Sequence, residues 1–287
     1  MKKIVIVGAG NVGKAAAKAV LAAPDMELCG FIRRIAERVD GFENIPAVKN
    51  ISELNQKPDG AIVALPSRFV ESAEKELIEN GIFTADAFDI HEKIIGMKER
   101  LSVLAKENGV SSIIGAGWDP GMDSSVRMLM FSAYPERKIY TNFGPGMSMG
   151  HSAAVREKPG VADAVSITLP IGEGKHKRKI YVVLDKKADK KAVEHDILSD
   201  EYFEHDECSV EFVDSLGQYK TRFHGVEIVQ EEREEKLCFS LFADNPEFTG
   251  RILASSIRAA FLQAPGAYLI PEIPPSDFCP DGWEKFV

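Results

Sequence analysis

The chain has 287 residues, of which 45% are apolar and 28% are charged, and its net charge is −9. This composition is typical of a globular protein with one large domain or two ordinary ones, and it excludes a wholly disordered chain. A surface this acidic repels phosphate backbones, so we expect no nucleic-acid partner. No apolar run approaches the roughly 20 residues that span a bilayer, so we expect no membrane partner either.

The four cysteines are scattered along the chain, and none forms a C-x-x-C pair. Their spacing favours neither a zinc site nor a disulfide framework, so we predict no metal and a reducing, cytoplasmic location. The apolar run after Lys2-Lys3 breaks at Gly8 and Gly10, and no convincing cleavage site follows. It therefore predicts a strand rather than a signal peptide.

In the first part of the chain, apolar runs alternate with helical patterns. Strands are predicted at 3–7, 27–32, 60–65, 82–88 and 112–116, and helices at 12–23, 69–80 and 91–108. This alternation indicates βαβ units and a parallel sheet whose strands are buried on both faces. We predict an α/β fold with a Rossmann-type, doubly wound parallel sheet over residues 1–118.

The pattern changes after Gly117. Strands are predicted at 138–143, 164–170, 178–184, 209–214 and 236–243, with a short helix at 190–198. They indicate a second, α+β domain at 119–248, which we expect to bind substrate and to form the subunit interface of a homo-oligomer, a dimer or larger. A helix at 249–263 is expected to pack back on the first domain, completed by 249–287, and the tail from Pro265 to wrap its surface.

A glycine-rich turn follows the first predicted strand. Gly8-Ala9-Gly10-Asn11-Val12-Gly13 fits G-x-G-x-x-G, with a strand directly before it and a helix directly after it. In that setting the glycines allow a tight turn, close approach of a pyrophosphate, and close packing of helix on strand. We predict cofactor contacts from Gly8, Gly10, Asn11, Val12 and Gly13. The alternative is a glycine turn without a ligand.

The end of the second strand indicates which dinucleotide binds. NAD enzymes usually carry Asp or Glu there, bonded to the ribose 2′-hydroxyl. Here the strand runs into Arg33-Arg34, and two guanidinium groups suit a 2′-phosphate. We predict NADP(H) as the cofactor. The alternative is a solvated basic pair that faces acidic residues such as Glu37.

A second motif belongs to a different class of enzyme. Gly146-Met147-Ser148-Met149-Gly150 matches the nucleophile elbow of serine hydrolases, and Asp206 and His224 follow in the required order. The elbow needs a strand–turn–helix setting, but this motif falls after the sheet-forming half and no oxyanion segment precedes it. We prefer a glycine-rich loop whose N–H groups bind a carboxylate.

Two long runs carry a family resemblance. Ala116-Gly117-Trp118-Asp119-Pro120-Gly121-Met122 and the run from Phe143 to Ser152 resemble meso-diaminopimelate dehydrogenases, and Asp86-Ala87-Phe88-Asp89, His176-Lys177-Arg178 and Asn245-Pro246 match in order. The resemblance covers essentially the whole chain. Met149 stands where much of the family has glutamine, and the chain is short between Pro170 and His176. Both features are similar to the shorter, more substrate-tolerant branch.

The resemblance implies NADP-dependent oxidative deamination of the D-centre of meso-2,6-diaminopimelate. The products are ammonia and L-2-amino-6-oxopimelate, which cyclises to tetrahydrodipicolinate, and the reverse reaction serves lysine biosynthesis. The short branch also implies reductive amination of 2-keto acids to D-amino acids. Two alternatives stay open, a general D-amino-acid dehydrogenase and an NADP-binding sensor without turnover.

The two catalytic candidates are Asp89 and Asp119. Each follows a predicted strand and therefore lies at the carboxyl edge of the sheet, where ligands of open α/β sheets bind. By resemblance they flank the reacting amino group, where carboxylates would hold an ammonium and accept its proton. The base is Asp89, Asp119 or a water molecule. The alternative for Asp119 is a turn residue before Pro120.

The resemblance assigns the carboxylate of the reacting centre to the backbone of a loop at Met149-Gly150, with Phe143 beside it. Phe143 stands where other members have tryptophan, so an indole hydrogen bond is lost and only packing remains. Met149 likewise lacks the amide donor of a glutamine. We therefore expect a looser site that tolerates smaller substrates.

The resemblance assigns the far carboxylate to Thr168, Arg178 and His224, and the far amino group to Asn245. An arginine–carboxylate pair is strong and geometrically selective. The alternatives are that Arg178 is one of several exposed cations, Thr168 a plain strand residue and His224 an ordinary loop histidine.

Other positions complete the predicted site. Further cofactor contacts are expected at Leu65, Pro66, Ser67, Ala87, Phe88, Gly117, Trp118 and Pro120. Among the other histidines, we expect His91 to cap the helix that follows it and His151 to fix the glycine loop or a water molecule. We expect His176, His195 and His205 to be solvated.

Overall fold

The computed structural model of the chain describes residues 1–200, 202–203, 206–280 and 282–287. The chain forms two compact units, one made of Met1–Met128 with Pro246–Val287 and the other of Leu129–Asn245. The units therefore change at 128 and 245, where the sequence pattern placed the changes at 118 and 248. His205 lies outside the described residues.

The first unit is built on a seven-stranded sheet. Its strands are β1 (Lys2–Val7), β2 (Met26–Ile32), β3 (Ala47–Val48), β4 (Gly60–Val63), β5 (Phe83–Asp86), β6 (Ser111–Ile113) and β13 (Gly266–Tyr268). They lie in the order β13-β6-β5-β4-β1-β2-β3, and every neighbouring pair is parallel. The strand order reverses at β1, which creates the crevice where such sheets bind ligands.

Helices cover both faces of this sheet. They are α1 (Asn11–Ala22), α2 (Ser67–Glu79), α3 (His91–Asn108) and α7 (Asn245–Ala260), and a further helix, α4 (Met122–Ala133), crosses the boundary between the units. Ile4 and Ile6 pack with α1 and α7 on one face, whereas Val5 and Val7 pack with α2 and α3 on the other. Burial on both faces explains why the strands are apolar at successive positions rather than at alternate ones.

The second unit contains a six-stranded mixed sheet. Its elements are β7 (Ile139–Ser148), α5 (Met149–Arg156), β8 (Val161–Gly172), β9 (Lys175–Leu184), α6 (Lys190–Leu198), β10 (Glu207–Phe212), β11 (Phe223–Glu232) and β12 (Glu235–Asp244). The order is β10-β9-β8-β7-β11-β12, and only the β10–β9 pair is parallel. Helices α5 and α6 supply Val155, Val193 and Ile197 to the core under this sheet.

The fold class predicted from the sequence is confirmed, and the structure adds elements that the pattern did not indicate. Strand β11, helices α4 and α5, and the two-residue strand β3 were not predicted. The tail after Pro265, which we expected only to wrap the surface, contributes β13 to the parallel sheet beside β6. The motif around Ser148 spans the end of β7 and the start of α5 rather than a loop.

Candidate active site

The glycine turn between β1 and α1 is shaped to receive a diphosphate. Gly8 has a φ of +99°, and a side chain at position 13 would place its Cβ 2.0 Å from the Gly8 carbonyl oxygen. A Cβ at Gly10, in contrast, would meet no atom within 4 Å. Helix α1 begins after Gly10 without a side-chain cap, so the amide groups of its first turn point into that open space. These residues fit a dinucleotide.

Arg33 and Arg34 follow β2 directly, as predicted. Arg33 is half-buried and its backbone N–H donates to the Val48 carbonyl at 2.9 Å, whereas Arg34 is exposed. Among the described residues, neither guanidinium pairs with a carboxylate, Glu37 included. Both cations therefore remain available for a ligand phosphate.

Asp89 is anchored by a residue that was predicted to contact the cofactor. Ser67, the first residue of α2 after Leu65 and Pro66, donates its hydroxyl to Asp89 Oδ1 at 2.5 Å and accepts the Asp89 backbone N–H at 3.1 Å. Asp89 itself is exposed, so solvent can reach its carboxylate. Ser67 thus fixes the backbone and one oxygen of this carboxylate.

A buried carboxyl group that was not predicted as a site residue joins the segments that carry the two candidate acids. Asp86, at the end of β5, accepts the N–H groups of Phe88 at 2.8 Å and Gly115 at 3.0 Å. It is completely buried, and burial raises its pKa to about 7. The sequence signal was available, because a carboxylate inside an apolar strand is rare without a partner or a role.

Asp119 lies in a short turn between β6 and α4. The turn is closed by hydrogen bonds from Met122 N–H to the Gly117 carbonyl at 3.2 Å and from Asp123 N–H to the Trp118 carbonyl at 3.0 Å. Trp118 and Pro120, two predicted cofactor contacts, flank the aspartate. The turn role and the site role of Asp119 are therefore compatible.

Asp119 belongs to a charged cluster within the first unit. Its Oδ2 lies 3.6 Å from His91 Nε2, and its Oδ1 lies 3.3 Å from an Arg127 guanidinium nitrogen. The other terminal nitrogen of Arg127 donates to Asp123 Oδ2 at 2.8 Å. Our expectation that His91 caps a helix was wrong, because Ile90 is the N-cap and the imidazole of His91 faces Asp119 instead.

The cluster separates the proton affinities of its two carboxyl groups. Burial favours protonation of Asp119, but contacts with His91, Asp123 and Arg127 lower its pKa below the usual value. Burial and the charge of Asp119 raise the pKa of Asp123 to about 9. Near neutral pH, Asp119 is therefore the ionised member of the pair, and Asp123 holds a proton.

In the second unit, the residues predicted to hold a far carboxylate lie in one row across the sheet. Arg178 on β9 is the cross-strand partner of Thr168 on β8, Thr168 is the partner of Gly146 on β7, and Gly146 is the partner of His224 on β11. Residues directly opposite each other in an antiparallel pair share a face. The sequence could not indicate this row, because β11 was not predicted.

Burial distinguishes these residues from the alternatives raised by the sequence. Arg178 is 8% exposed, Thr168 is 1% exposed and His224 is 7% exposed. Arg178 is therefore not a surface cation, and His224 is not a loop histidine. A guanidinium nitrogen of Arg178 donates to Thr168 Oγ1 at 2.8 Å, which joins the two predicted carboxylate ligands.

Two further residues surround Arg178. Its Nε is in close contact with Asp206 Oδ2, and a terminal guanidinium nitrogen lies 3.2 Å from His176 Nε2. His176 Nε2 also lies 3.1 Å from Asp206 Oδ1. Our prediction that His176 is solvated was wrong. His176 and Arg178 are two positions apart on β9, so their side chains lie on the same, covered face of the sheet. His195, in contrast, is exposed.

Met149 and Gly150 do not form the glycine-rich loop that we expected. They are the first residues of helix α5, whose N-terminus carries no side-chain cap hydrogen bond. An uncapped helix start presents backbone N–H groups to a carboxylate. The carboxylate-binding role predicted for a loop is therefore equally suited to this helix start. Phe143 packs edge-on against His176, with ring centroids 6.0 Å apart, and Asn245 is the buried first residue of α7.

Comparison with known proteins identifies the family. Residues 117–174 match the model of the diaminopimelic acid dehydrogenase C-terminal domain, and residues 2–86 match an oxidoreductase family with an NAD-binding Rossmann fold. The meso-diaminopimelate D-dehydrogenase of Bacteroides fragilis is 40% identical, with 100% of this chain and 99% of that one covered. The chain belongs to the meso-diaminopimelate D-dehydrogenase family.

Solved structures agree with that assignment. The chain resembles the Corynebacterium glutamicum DAP dehydrogenase in complex with DAP, at 27% identity and a TM-score of 0.86, with 98% of this chain and 96% of that chain covered. It resembles an engineered D-amino acid dehydrogenase bound to NADP⁺ equally well, at 26% identity and a TM-score of 0.86, with 99% and 98% covered. As a member of this family the chain is an oxidoreductase.

Membership of the meso-diaminopimelate D-dehydrogenase family also decides how the Gly-x-Ser-x-Gly motif is interpreted. One reason for rejecting a hydrolase was wrong, because Ser148 does lie between a strand and a helix. Ser148 Oγ is 2.8 Å from His151 Nδ1, but His151 Nε2 is 3.9 Å from Asp206, too far for a hydrogen bond. Burial lowers the pKa of His151 to about 3, so its imidazole is neutral near pH 7. Its contact with Ser148 holds the end of β7 against α5.

The described part of the chain contains no group of three or more His, Cys, Asp or Glu side chains arranged to hold a metal ion. Within the same residues, no helix has the length and the apolar character needed to cross a membrane.

Proposed function

We propose that the chain catalyses NADP-dependent oxidative deamination of the D-centre of meso-2,6-diaminopimelate, with ammonia and L-2-amino-6-oxopimelate as products. The observation that carries the proposal is the full-length similarity to the relative from B. fragilis, at 40% identity. The ionised carboxylate of Asp119 and the buried row of Arg178, Thr168 and His224 supply the opposite charges that this substrate needs.

We assign the reacting amino group to Asp89 and Asp119. A substrate ammonium must lose a proton before a hydride can leave its carbon. Asp119, with its lowered pKa, suits a counter-ion for the ammonium, and the exposed carboxylate of Asp89 is free to receive a proton directly or through water. Water then attacks the resulting imine, which releases ammonia and leaves the keto group.

The carboxylate beside the reacting carbon is assigned to the start of α5. The backbone N–H groups at Met149 and Gly150 lack a side-chain cap and lie at the positive end of the helix. Phe143 supplies packing only. Because neither Phe143 nor Met149 offers a strong side-chain donor, orientation of the substrate depends on the backbone.

The far end of the substrate is assigned to Arg178, Thr168 and His224, with Asn245 toward its amino group. A buried arginine with a hydroxyl partner binds a carboxylate through charge-assisted hydrogen bonds. This contact would distinguish a long dicarboxylate from a short monocarboxylate such as D-alanine.

We assign the cofactor as NADP(H). Bound NADP⁺ supplies the hydride acceptor. The glycine turn and the first turn of α1 would hold its diphosphate, and Arg33 and Arg34 would hold the 2′-phosphate. The further predicted contacts at Leu65, Pro66, Ser67, Ala87, Phe88, Gly117, Trp118 and Pro120 remain predictions.

A second activity is favoured by a separate observation. The chain resembles an engineered D-amino acid dehydrogenase as well as it resembles a DAP dehydrogenase. Together with Phe143 and Met149, this similarity supports reductive amination of simple 2-keto acids to D-amino acids. We also keep a reducing, cytoplasmic location as a prediction, since all four cysteines are free thiols.

We further propose that the chain forms a homo-oligomer through its second unit. On strands β11 and β12, Phe223 and Phe242 stack with ring centroids 5.5 Å apart, although they are 48% and 65% exposed. Exposed aromatic pairs of this kind mark protein interfaces. Light scattering on the eluting protein should give a multiple of the 31.5 kDa chain mass, and Phe242→Ser should reduce it.

The catalytic proposal is tested by following absorbance at the NADPH band with purified protein, NADP⁺ and meso-diaminopimelate. The controls are NAD⁺, the L,L isomer and D-alanine. Reduction that needs both NADP⁺ and the meso isomer is the expected result. Equal or faster turnover of D-alanine would favour the general D-amino-acid dehydrogenase, and NADPH binding without any turnover would favour a sensor.

A further inference from the structure

Asp206 is a carboxylate in the second unit to which the proposed reaction assigns no part. It directly precedes β10, whose first residue Glu207 is paired with Lys177 of β9, so Asp206 lies beside His176 in the sheet. Its backbone N–H donates to the Phe203 carbonyl at 3.1 Å. The side chain is 18% exposed, which leaves part of the carboxylate open to a ligand.

Among the described residues, the partners of this carboxylate are basic or imidazole groups. Asp206 contacts Arg178 Nε through one oxygen and His176 Nε2, at 3.1 Å, through the other, and His151 Nε2 lies 3.9 Å away. Burial alone would raise the pKa of Asp206, but the bonds with His176 and Arg178 lower it to about 2. Asp206 is therefore ionised at neutral pH, and with His151 neutral it balances the charge of Arg178.

The Arg178–Asp206 pair presents one positive and one negative group side by side. Asp206 binds the Nε edge of the guanidinium, whereas one terminal nitrogen donates to Thr168 at 2.8 Å and the other lies 3.2 Å from His176 Nε2. Each terminal nitrogen carries a second N–H group, and we assign these to the substrate carboxylate. The far centre of diaminopimelate also carries two charges, a carboxylate and an ammonium on one carbon. A far end that carries only a carboxylate would be repelled by the negative charge of Asp206. In a zwitterionic far end, the ammonium would offset that repulsion.

We propose that Asp206 determines specificity by binding the ammonium group of the far amino-acid centre, while Arg178 and Thr168 bind the carboxylate of that centre. This inference rests on the proposed function, because it needs the far end of the substrate at Arg178. It adds a charged partner to the neutral Asn245 for this amino group. It also makes the site select an amino-acid end over a plain carboxylic-acid end.

The test compares two substrates that differ only in that ammonium, meso-diaminopimelate and D-2-aminopimelate. The wild-type chain should prefer the former in kcat/KM, and Asp206→Asn should reduce this preference by about 10- to 100-fold, the usual effect of one hydrogen bond to a charged group. The ratio is insensitive to a partly unfolded sample, because inactive protein lowers both rates equally. If turnover of D-2-aminopimelate is too slow, its inhibition constant against diaminopimelate replaces kcat/KM.

Two further variants complete the design. Asp206→Glu keeps the charge and should restore part of the preference. Asp163→Asn removes an aspartate that pairs with Lys220 at 2.8 Å on the surface of the same unit, and it should leave the preference unchanged.

Other outcomes have distinct meanings. If Asp206→Asn slows both substrates equally, Asp206 only orients Arg178 and the ammonium contact is wrong. If both substrates improve, Asp206 competes with the substrate for Arg178, and the proposal is again overturned. Failure of the proposed function shows separately, since the wild-type chain would then not reduce NADP⁺ with meso-diaminopimelate at all. If Arg178→Met leaves the ratio of diaminopimelate to D-alanine turnover unchanged, only the assignment of the far carboxylate to Arg178 is wrong.

Discussion

The charged clusters around Asp119 and around Asp206 are opposite in composition. In the first unit, the carboxyl groups of Asp119 and Asp123 share one permanent cation, Arg127. In the second unit, the single carboxylate of Asp206 lies among Arg178 and two histidines. The first cluster keeps a proton on one of its acids, whereas the second keeps its acid ionised.

The difference follows from the ratio of carboxyl groups to cationic and imidazole groups in each cluster. Two buried carboxyls close together cannot both ionise without strong repulsion, so one of them retains a proton. A single carboxylate that contacts several hydrogen-bond donors stays ionised, because those contacts stabilise its charged form. The first arrangement suits a site where protons move, and the second suits a site that recognises fixed charges on a ligand.

The largest effect should come from the acid cluster. Asp119→Asn removes the ionised carboxylate assigned to the reacting ammonium, so kcat should fall by about 10²- to 10⁴-fold with meso-diaminopimelate and with D-alanine alike. Steady-state kinetics measure this, and NADPH fluorescence checks that the cofactor still binds. Asp40→Asn, at a side chain that is 97% exposed, is the matched control. A loss below tenfold would remove Asp119 from the chemistry.

A smaller and more selective effect is expected in the second cluster. Arg178→Met keeps much of the side-chain volume but deletes the charge, so kcat/KM for diaminopimelate should fall about 100-fold relative to that for D-alanine. The comparison control is Lys220→Met, which breaks an exposed ion pair in the same unit. An equal loss for both substrates would mean that Arg178 supports the fold and does not read the far carboxylate.

Asp86, which joins the segments that carry Asp89 and Asp119, should affect stability rather than turnover. Its pKa is about 7 in the folded chain, against an ordinary value of 3.8, so the folded state holds an extra proton between these values. Its contribution to the free energy of unfolding should therefore be unaffected below pH 4, fall by about 4 kcal/mol as pH rises to 7, and stay constant above.

Asp86→Asn removes this titration and keeps an oxygen that accepts the Phe88 and Gly115 N–H groups. Urea unfolding at several pH values should show a flatter profile between pH 4 and pH 7 than in the wild type. Asp40→Asn should retain the wild-type slope. An unchanged slope in Asp86→Asn would assign the pH dependence to other groups, of which buried Glu74 is the first to examine.

Local signals predicted most of the first unit and less of the second. Continuous apolar runs, helical spacing and a glycine turn are properties of neighbouring residues, so the parallel sheet and the diphosphate turn were predictable. Strand β11 was missed because its sequence, from Phe223 to Glu232, mixes apolar and acidic residues and ends in Glu231-Glu232. Without β11, His224 had no position relative to Thr168 and Arg178.

The sequence by itself determined the fold class, the dinucleotide turn, the two arginines after β2 and the family. Each of these depends on residue types at short, fixed spacing. Only the tertiary structure decided which of these groups contact each other and which of them are ionised. The pairing of His91 and Arg127 with Asp119, the anchoring of Asp89 by Ser67, and the placement of Asp206 against Arg178 join residues far apart in the chain. Their ionisation follows from burial and proximity, which no spacing along the chain specifies.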